Sequence, residues 1–148
     1  MAPDNMIRRV AAAQATYDAF FDREFAWGST DCVRMAALDL LNLGYEPRLA
    51  RGGAYRSALA ARRALGRAGF ASIEAALDDL GLPRIGHAAR LPGDLLGFPS
   101  TDGWMALGVA LGNGRALAIA PHTNRFAVVQ PGHDDILACW KADPCRRP

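Results

Sequence analysis

Phe25-Ala26-Trp27-Gly28-Ser29-Thr30-Asp31-Cys32 is the stretch from which the rest of this chain can be read. Gly28 and Ser29 break the chain, and Ser29 or Thr30 is placed to cap a helix running to about residue 43. Cys32, Met35, Ala36, Asp39 and Leu40 recur along it at spacings of three and four, the period of a helix face. Gly44 supplies the stop. A cysteine in the first turn of a helix meets unpaired backbone N–H groups and the positive end of the dipole. Both favour a thiolate, so the position suits an activated nucleophile. Free cysteine is also among the most buried residue types, and at this point both readings of Cys32 stand. Trp27 likewise either anchors the helix start or lines a groove.

Working outward, residues 3 to 21 are alanine-rich. Ile7, Val10, Ala11, Tyr17 and Phe20 form an apolar stripe, with Asp4 or Asn5 as cap. A loop over 47–53 leads to two shorter helices, near 55–66 and 72–80, the second opened by Ser72 and Glu74. Residues 82–91 are irregular, broken by Pro83 and Gly86. Arg62, Arg63 and Arg67 read as a solvated helix face or a docking point for an acidic partner.

Beyond Pro92 the period changes. Strands are expected at 93–98, 104–111, 115–120, 126–129 and 136–140. Gly112-Asn113-Gly114 makes a hairpin turn, and no helix follows it that would turn it into a phosphate loop. The tail, 143–148, is expected to be loose. Helices first and antiparallel strands second give an α+β fold, with N-terminal helices packed on a C-terminal sheet.

The composition narrows the function classes. The 148 residues suit one domain, ordered over about 5–142, and 51% apolar content supplies a core. A net charge of +2 is too small to attract nucleic acid by bulk electrostatics. No apolar run approaches the roughly 20 residues of a membrane span. The start carries no apolar signal core, so synthesis in a reducing cytoplasm is expected. Cys32, Cys139 and Cys145 form no Cys-x-x-Cys pair. Neither a metal site nor a Cys139–Cys145 disulfide is expected, and no cofactor is implied.

In this order and spacing, Phe25, Trp27, Gly28, Asp31 and Cys32 resemble the nucleophile motif of NlpC-type papain-like cysteine peptidases. Tyr55-Arg56-Ser57, Gly93-Asp94-Leu95, the hairpin 107–114 and Cys139-Trp140 are similar to a phage and prophage family within that superfamily. The resemblance covers about 5–142. It implies Cys32 as nucleophile, a histidine at the start of the first hairpin strand as base, and a polar residue on the returning strand to orient that base. It also implies structural roles for Trp27, Gly28, Asp31 and Asp94.

Here the base position holds Ala106, and Leu117-Ala118-Ile119-Ala120 offers no polar side chain. Loss of a general base forfeits about 10²–10⁴ in rate. His122, two residues past the returning strand, is the substitute candidate, while His87 falls in the irregular segment and His133 in a turn. The resemblance therefore implies a virion protein of the phage tail, a hub or baseplate component with a degenerate site, its partners being other hub or tip proteins. The alternative is an active peptidase that cuts peptidoglycan peptide stems during cell-wall penetration. An acyltransferase is a third use of such folds. Neither nucleic acid nor a membrane is an expected partner.

Overall fold

The computed structural model describes residues 3–47, 55–100, 105–120 and 122–145. Trp104 and most of the loop expected at 47–53 lie outside them. Four helices precede five strands: α1 (Pro3–Phe20), α2 (Cys32–Asn42), α3 (Ala58–Arg67), α4 (Ile73–Asp79), β1 (Leu95–Phe98), β2 (Ala106–Gly112), β3 (Arg115–Ala120), β4 (Arg125–Val129) and β5 (Ala138–Trp140). The strands form one antiparallel sheet in the order β4-β3-β2-β1-β5. The fold is α+β, as the change of period indicates. Asn113 and Gly114 both take positive φ (53° and 76°), as the tight turn between right-twisted strands requires.

Strand register sets which face each side chain meets. Leu95 pairs with Val109 and Trp140, and Val109 pairs with Leu117. These residues share the main core with Met35, Ala36 and Leu40 of α2 and Leu77 of α4. The opposite face carries Leu96, Ala116 and Cys139, covered by Ile85, Phe98, Val129 and Ile136. Both faces are therefore buried around β1 and β2, which explains why these strands read as continuous apolar runs.

Helix α1 turns differently from its expected stripe. Its core side is Arg9, Ala12, Ala13, Thr16 and Phe20, while Ile7 (69% exposed) and Val10 (51%) face outward. Asp4 and Asn5 lie inside its first turn rather than before it. The arginine is inside because both of its terminal nitrogens are paired. Its guanidinium donates to Pro92 O (3.0 Å), Asp94 Oδ1 (2.7 Å) and Asp143 Oδ1 (2.5 Å). Asp94 is also completely buried and accepts the Leu91 and Ala142 amides. That pairing also corrects the expected loose tail over its first three residues, 146–148 lying outside the described residues. Residues 143–145 are tied down, with Tyr45 Oη donating to Asp143 O (2.6 Å), Arg8 to Cys145 O (2.9 Å), and the Cys145 amide to Leu43 O (2.8 Å).

Asp39 sits in the same region of α2, wholly buried, with neither carboxylate oxygen hydrogen-bonded. Burial pushes its carboxyl well above the usual carboxylate range, the Asp94 charge adds to this, and Arg9 opposes it. The folded state therefore holds the proton that the unfolded chain releases above about pH 4, and Asp39 weakens the fold progressively as pH rises from there. Asp39→Asn removes this dependence. In urea titrations between pH 4 and 8, the stability of the natural protein is expected to fall relative to the variant as pH rises. A constant difference between the two would contradict the assignment.

Candidate functional site

The chain reaches Cys32 through a segment held against the sheet edge. Asp22 N donates to Phe126 O (2.8 Å), Phe126 N to Arg23 O (3.0 Å) and Phe25 N to Asn124 O (2.8 Å). Residues 22–25 thus run beside the start of β4. Ala26 and Thr30 then close a small loop through paired backbone groups. Within it Gly28 takes φ +81°, and a Cβ there would run into the Tyr55 carbonyl oxygen. The glycine is needed both for its backbone angle and for the close approach of residue 55.

Asp31, not Ser29 or Thr30, caps α2. Its Oδ1 accepts the Arg34 amide (2.9 Å) and its Oδ2 the Gly28 amide (2.8 Å), with the residue 1% exposed. Three adjacent residues were chemically able to cap, and only the loop geometry selects among them. A cap serving two amides contributes about 1–2 kcal/mol. Asp31→Ala is expected to lower unfolding stability by that amount in chemical denaturation. Asp31→Asn, which keeps an accepting oxygen, should lose less.

Cys32 is the first residue of α2, half-buried, against the main core on the α2 side of the sheet. The Asp31 carboxylate, which stabilises the helix, occupies the Arg34 amide and places a negative charge at the same helix end as Cys32. That charge opposes the help a helix N-terminus gives a thiolate. Around this corner Trp27 packs edge-on against Phe25 (4.9 Å between ring centroids) and Tyr55 (6.5 Å), and Arg34 lies over the Tyr55 ring at 5.8 Å. The Tyr55 hydroxyl is buried, and burial together with the Asp31 charge pushes its ionisation upward. Trp27 shares a small cluster with Tyr55, Ala61 and Ala64, which favours its anchoring role. Sequence reasoning gave Tyr55 and Arg34 no role. Tyr55 lay in a motif segment, but its contact with residue 28 spans a loop that carries no local pattern.

The strand opposite offers no base. Ala106 pairs with Phe98, and Phe98 belongs to the cluster on the far face of the sheet, so Ala106 shares the face away from Cys32. The first β2-side residue that packs into the core with Cys32 is Met105, followed by Leu107. The facing residues of β3 are Leu117 and Ile119. The expectation that position 106 holds no base is thus joined by a second finding: its neighbours on the Cys32 side are also apolar.

The three histidines occupy two places. His122 is exposed, in the turn between β3 and β4, and that turn is bonded to the segment leading to Cys32 through Asn124. His87 and His133 meet each other, Nε2 to Nδ1, at 2.7 Å, in two short 3-10 turns, and Arg90 approaches the other nitrogen of His87 at 3.2 Å. Asp94 is on the Asp39 side of α2, seven residues from Cys32, or about 10 Å along the helix. It acts as a structural pin remote from the sulfur. Cys139 is buried in β5, and burial pushes its thiol up to about 12, which removes it as a nucleophile at neutral pH.

A cavity of about 660 Å³ opens between α3, α4 and the strand ends, lined by Leu65, Ile73, Glu74, Met105 and Leu137 among others. Neither Cys32 nor His122 lines it. Among the described residues no three His, Cys, Asp or Glu side chains converge as metal ligands, and no helix is long and apolar enough to cross a membrane.

The sequence model of a domain of unknown function, DUF6950, matches residues 7–142. No curated protein matches the chain by sequence. Among solved structures it is similar to NlpC2 from Trichomonas vaginalis, with a TM-score of 0.56 and 12% identity over 97% of this chain and 48% of that one. It is also similar to the P60 domain of antigen MAP1204 from M. avium subspecies paratuberculosis, with a TM-score of 0.52 and 11% identity over 95% and 98% of the two chains. This chain therefore spans about half the length of the first and nearly all of the second. At these identities the likeness shows the fold, which is of the NlpC/P60 peptidase-like type.

Proposed function

For this chain, which belongs to the DUF6950 family and folds as an NlpC/P60-type domain, we propose a structural role in a phage-derived tail. It is a hub or baseplate component whose peptidase-like site is idle. The observation that carries the idle reading is that the residues of the central hairpin on the α2 side of the sheet, Leu107 and Val109 of β2 and Leu117 and Ile119 of β3, are all apolar, as is Ala106. The tail assignment is supported by the resemblance of the segments 25–32, 55–57, 93–95 and 107–114 to a phage and prophage family. In this reading the protein is made in the bacterial cytoplasm, joins hub or tip proteins and ends in the virion.

A second reading is favoured by one specific observation. Cys32 keeps its place at a capped helix start, and the His122 turn is hydrogen-bonded to the segment that leads there. This supports an active cysteine peptidase that cuts peptidoglycan peptide stems.

Two measurements test the proposal. Incubation with purified peptidoglycan is expected to release no more soluble peptide than buffer, with Cys32→Ser identical. Release that disappears in a folded Cys32→Ser variant would establish the enzyme instead. Mass spectrometry of purified particles from a strain encoding the chain is expected to find it in stoichiometric amount, and its absence would remove the tail assignment.

A further inference from the structure

The outward side of α1 and the residue after it carry an apolar seam that the fold covers only at Tyr17, which packs partly against the core. Ile7, Val10, Gln14, Tyr17 and Phe21 follow one another at spacings of three, four, three and four, the 3.5-residue repeat of a helix-pairing face. Ile7, Val10 and Phe21 are 69%, 51% and 43% exposed, and Val128 on neighbouring β4 is 40% exposed. Tyr17 and Phe21 stack at 4.7 Å. The seam holds no charged residue, and its one polar member, Gln14, is hydrogen-bonded to Asp18 (2.8 Å). Beside it runs a groove of about 340 Å³ between Val10, Gln14 and Tyr17 on one wall and Leu111, Arg115 and Val128 on the other.

We propose that this face pairs with a second copy of the chain, α1 against α1 antiparallel, around a two-fold axis at Gln14. The spacing is symmetric about residue 14 to within one position. Reversal sets Ile7 against Phe21 of the other copy, Val10 against Tyr17, and Gln14 against Gln14. Every level but the central glutamine pair then joins one aliphatic to one aromatic side chain, and opposed helix dipoles attract. A parallel pair would set Phe21 on Phe21 and leave Val10 facing only Val10, crowding one level and underfilling another. The four most exposed side chains present roughly 400 Å² per copy, within the range of functional patches. With Gln14, Tyr17 and the groove wall added, two copies approach the roughly 1,000 Å² that a specific interface needs. This pairing is independent of whether Cys32 is idle.

Sedimentation over a range of concentrations is expected to show a monomer–dimer equilibrium. Val10→Glu should weaken it by about tenfold or more without changing the far-UV circular dichroism. In a Cys32→Ser, Cys145→Ser background, Gln14→Cys should form a disulfide-linked dimer under mild oxidation. Ile7→Cys should not, because antiparallel pairing holds the two residue-7 positions about 21 Å apart. A monomer at every concentration, or a dimer indifferent to Val10→Glu, would overturn the pairing and leave the face to a different protein. Crosslinking through Ile7→Cys would overturn the antiparallel geometry.

Discussion

Arg9→Ala is expected to cost about 3–5 kcal/mol of unfolding free energy, enough to leave a domain of ordinary stability marginal or unfolded. Arg9 and Asp94 are both wholly buried, and their contact at 2.7 Å is the only ion pair Asp94 makes among the described residues. Removing the guanidinium strands a carboxylate without water, next to Asp39, which is already disfavoured as an anion by burial and by Asp94 itself. It also releases Asp143, leaving the Arg8 bond to Cys145 O as the remaining hold of α1 on the tail. Arg9→Lys should recover only part of the loss. A single ammonium cannot reproduce the fork that reaches Pro92 O, Asp94 and Asp143 together. Equilibrium urea unfolding measures both variants. A loss below about 1 kcal/mol for Arg9→Ala, typical of a surface pair, would show that the buried network is not the pin described here.

Gly28→Ala is the second change with a large expected effect. The site imposes two penalties at once. An alanine at φ +81° is held in the left-handed region, at about 1–2 kcal/mol. Its methyl also needs the space of the Tyr55 carbonyl oxygen, a backbone atom that cannot swing aside as a flexible side chain does. Either residue 55 moves away, opening the Trp27–Tyr55–Ala61 cluster, or the loop before Cys32 is rebuilt. A total loss of about 3 kcal/mol or more is expected by thermal or chemical unfolding. Gly81→Ala is the control. It has a similar φ of +78° but nothing within contact distance, so it should cost only the backbone term.

Much of the architecture was legible because its signals are local. The three-and-four spacing of α2, the Gly112-Asn113-Gly114 turn and the apolar runs of β1, β2 and β3 each act over a few residues. What was not legible depends on partners far along the chain. An arginine at position 9 reads as a solvent residue until Asp94 and Asp143 are brought to it. The outward turn of Ile7 and Val10 follows from that same burial. The tail looked unstructured because its anchors, Arg9, Tyr45 and Leu43, are about a hundred residues or more away in sequence. Asp39 stood on the same face as Met35, Ala36 and Leu40, but its burial as an acid was not read from the sequence.

The candidate site was read with the same mixture. Motif order located Cys32 and its helix start. The identity of the cap depended on loop geometry, and the face presented by Ala106 depended on a strand register that no single segment encodes.

The rate at which iodoacetamide alkylates Cys32, followed from pH 5 to 9, tests the idle site most directly. Peptide mapping separates it from Cys139 and Cys145. With the Asp31 carboxylate at the same helix end and no general base on β2 or β3, the rate should stay at or below that of a simple free thiol and climb with pH throughout. His122→Ala should leave it unchanged. A rate well above the free thiol at pH 6, levelling off toward pH 9 and falling when His122 is replaced, would reveal an ion-paired nucleophile and contradict the idle site.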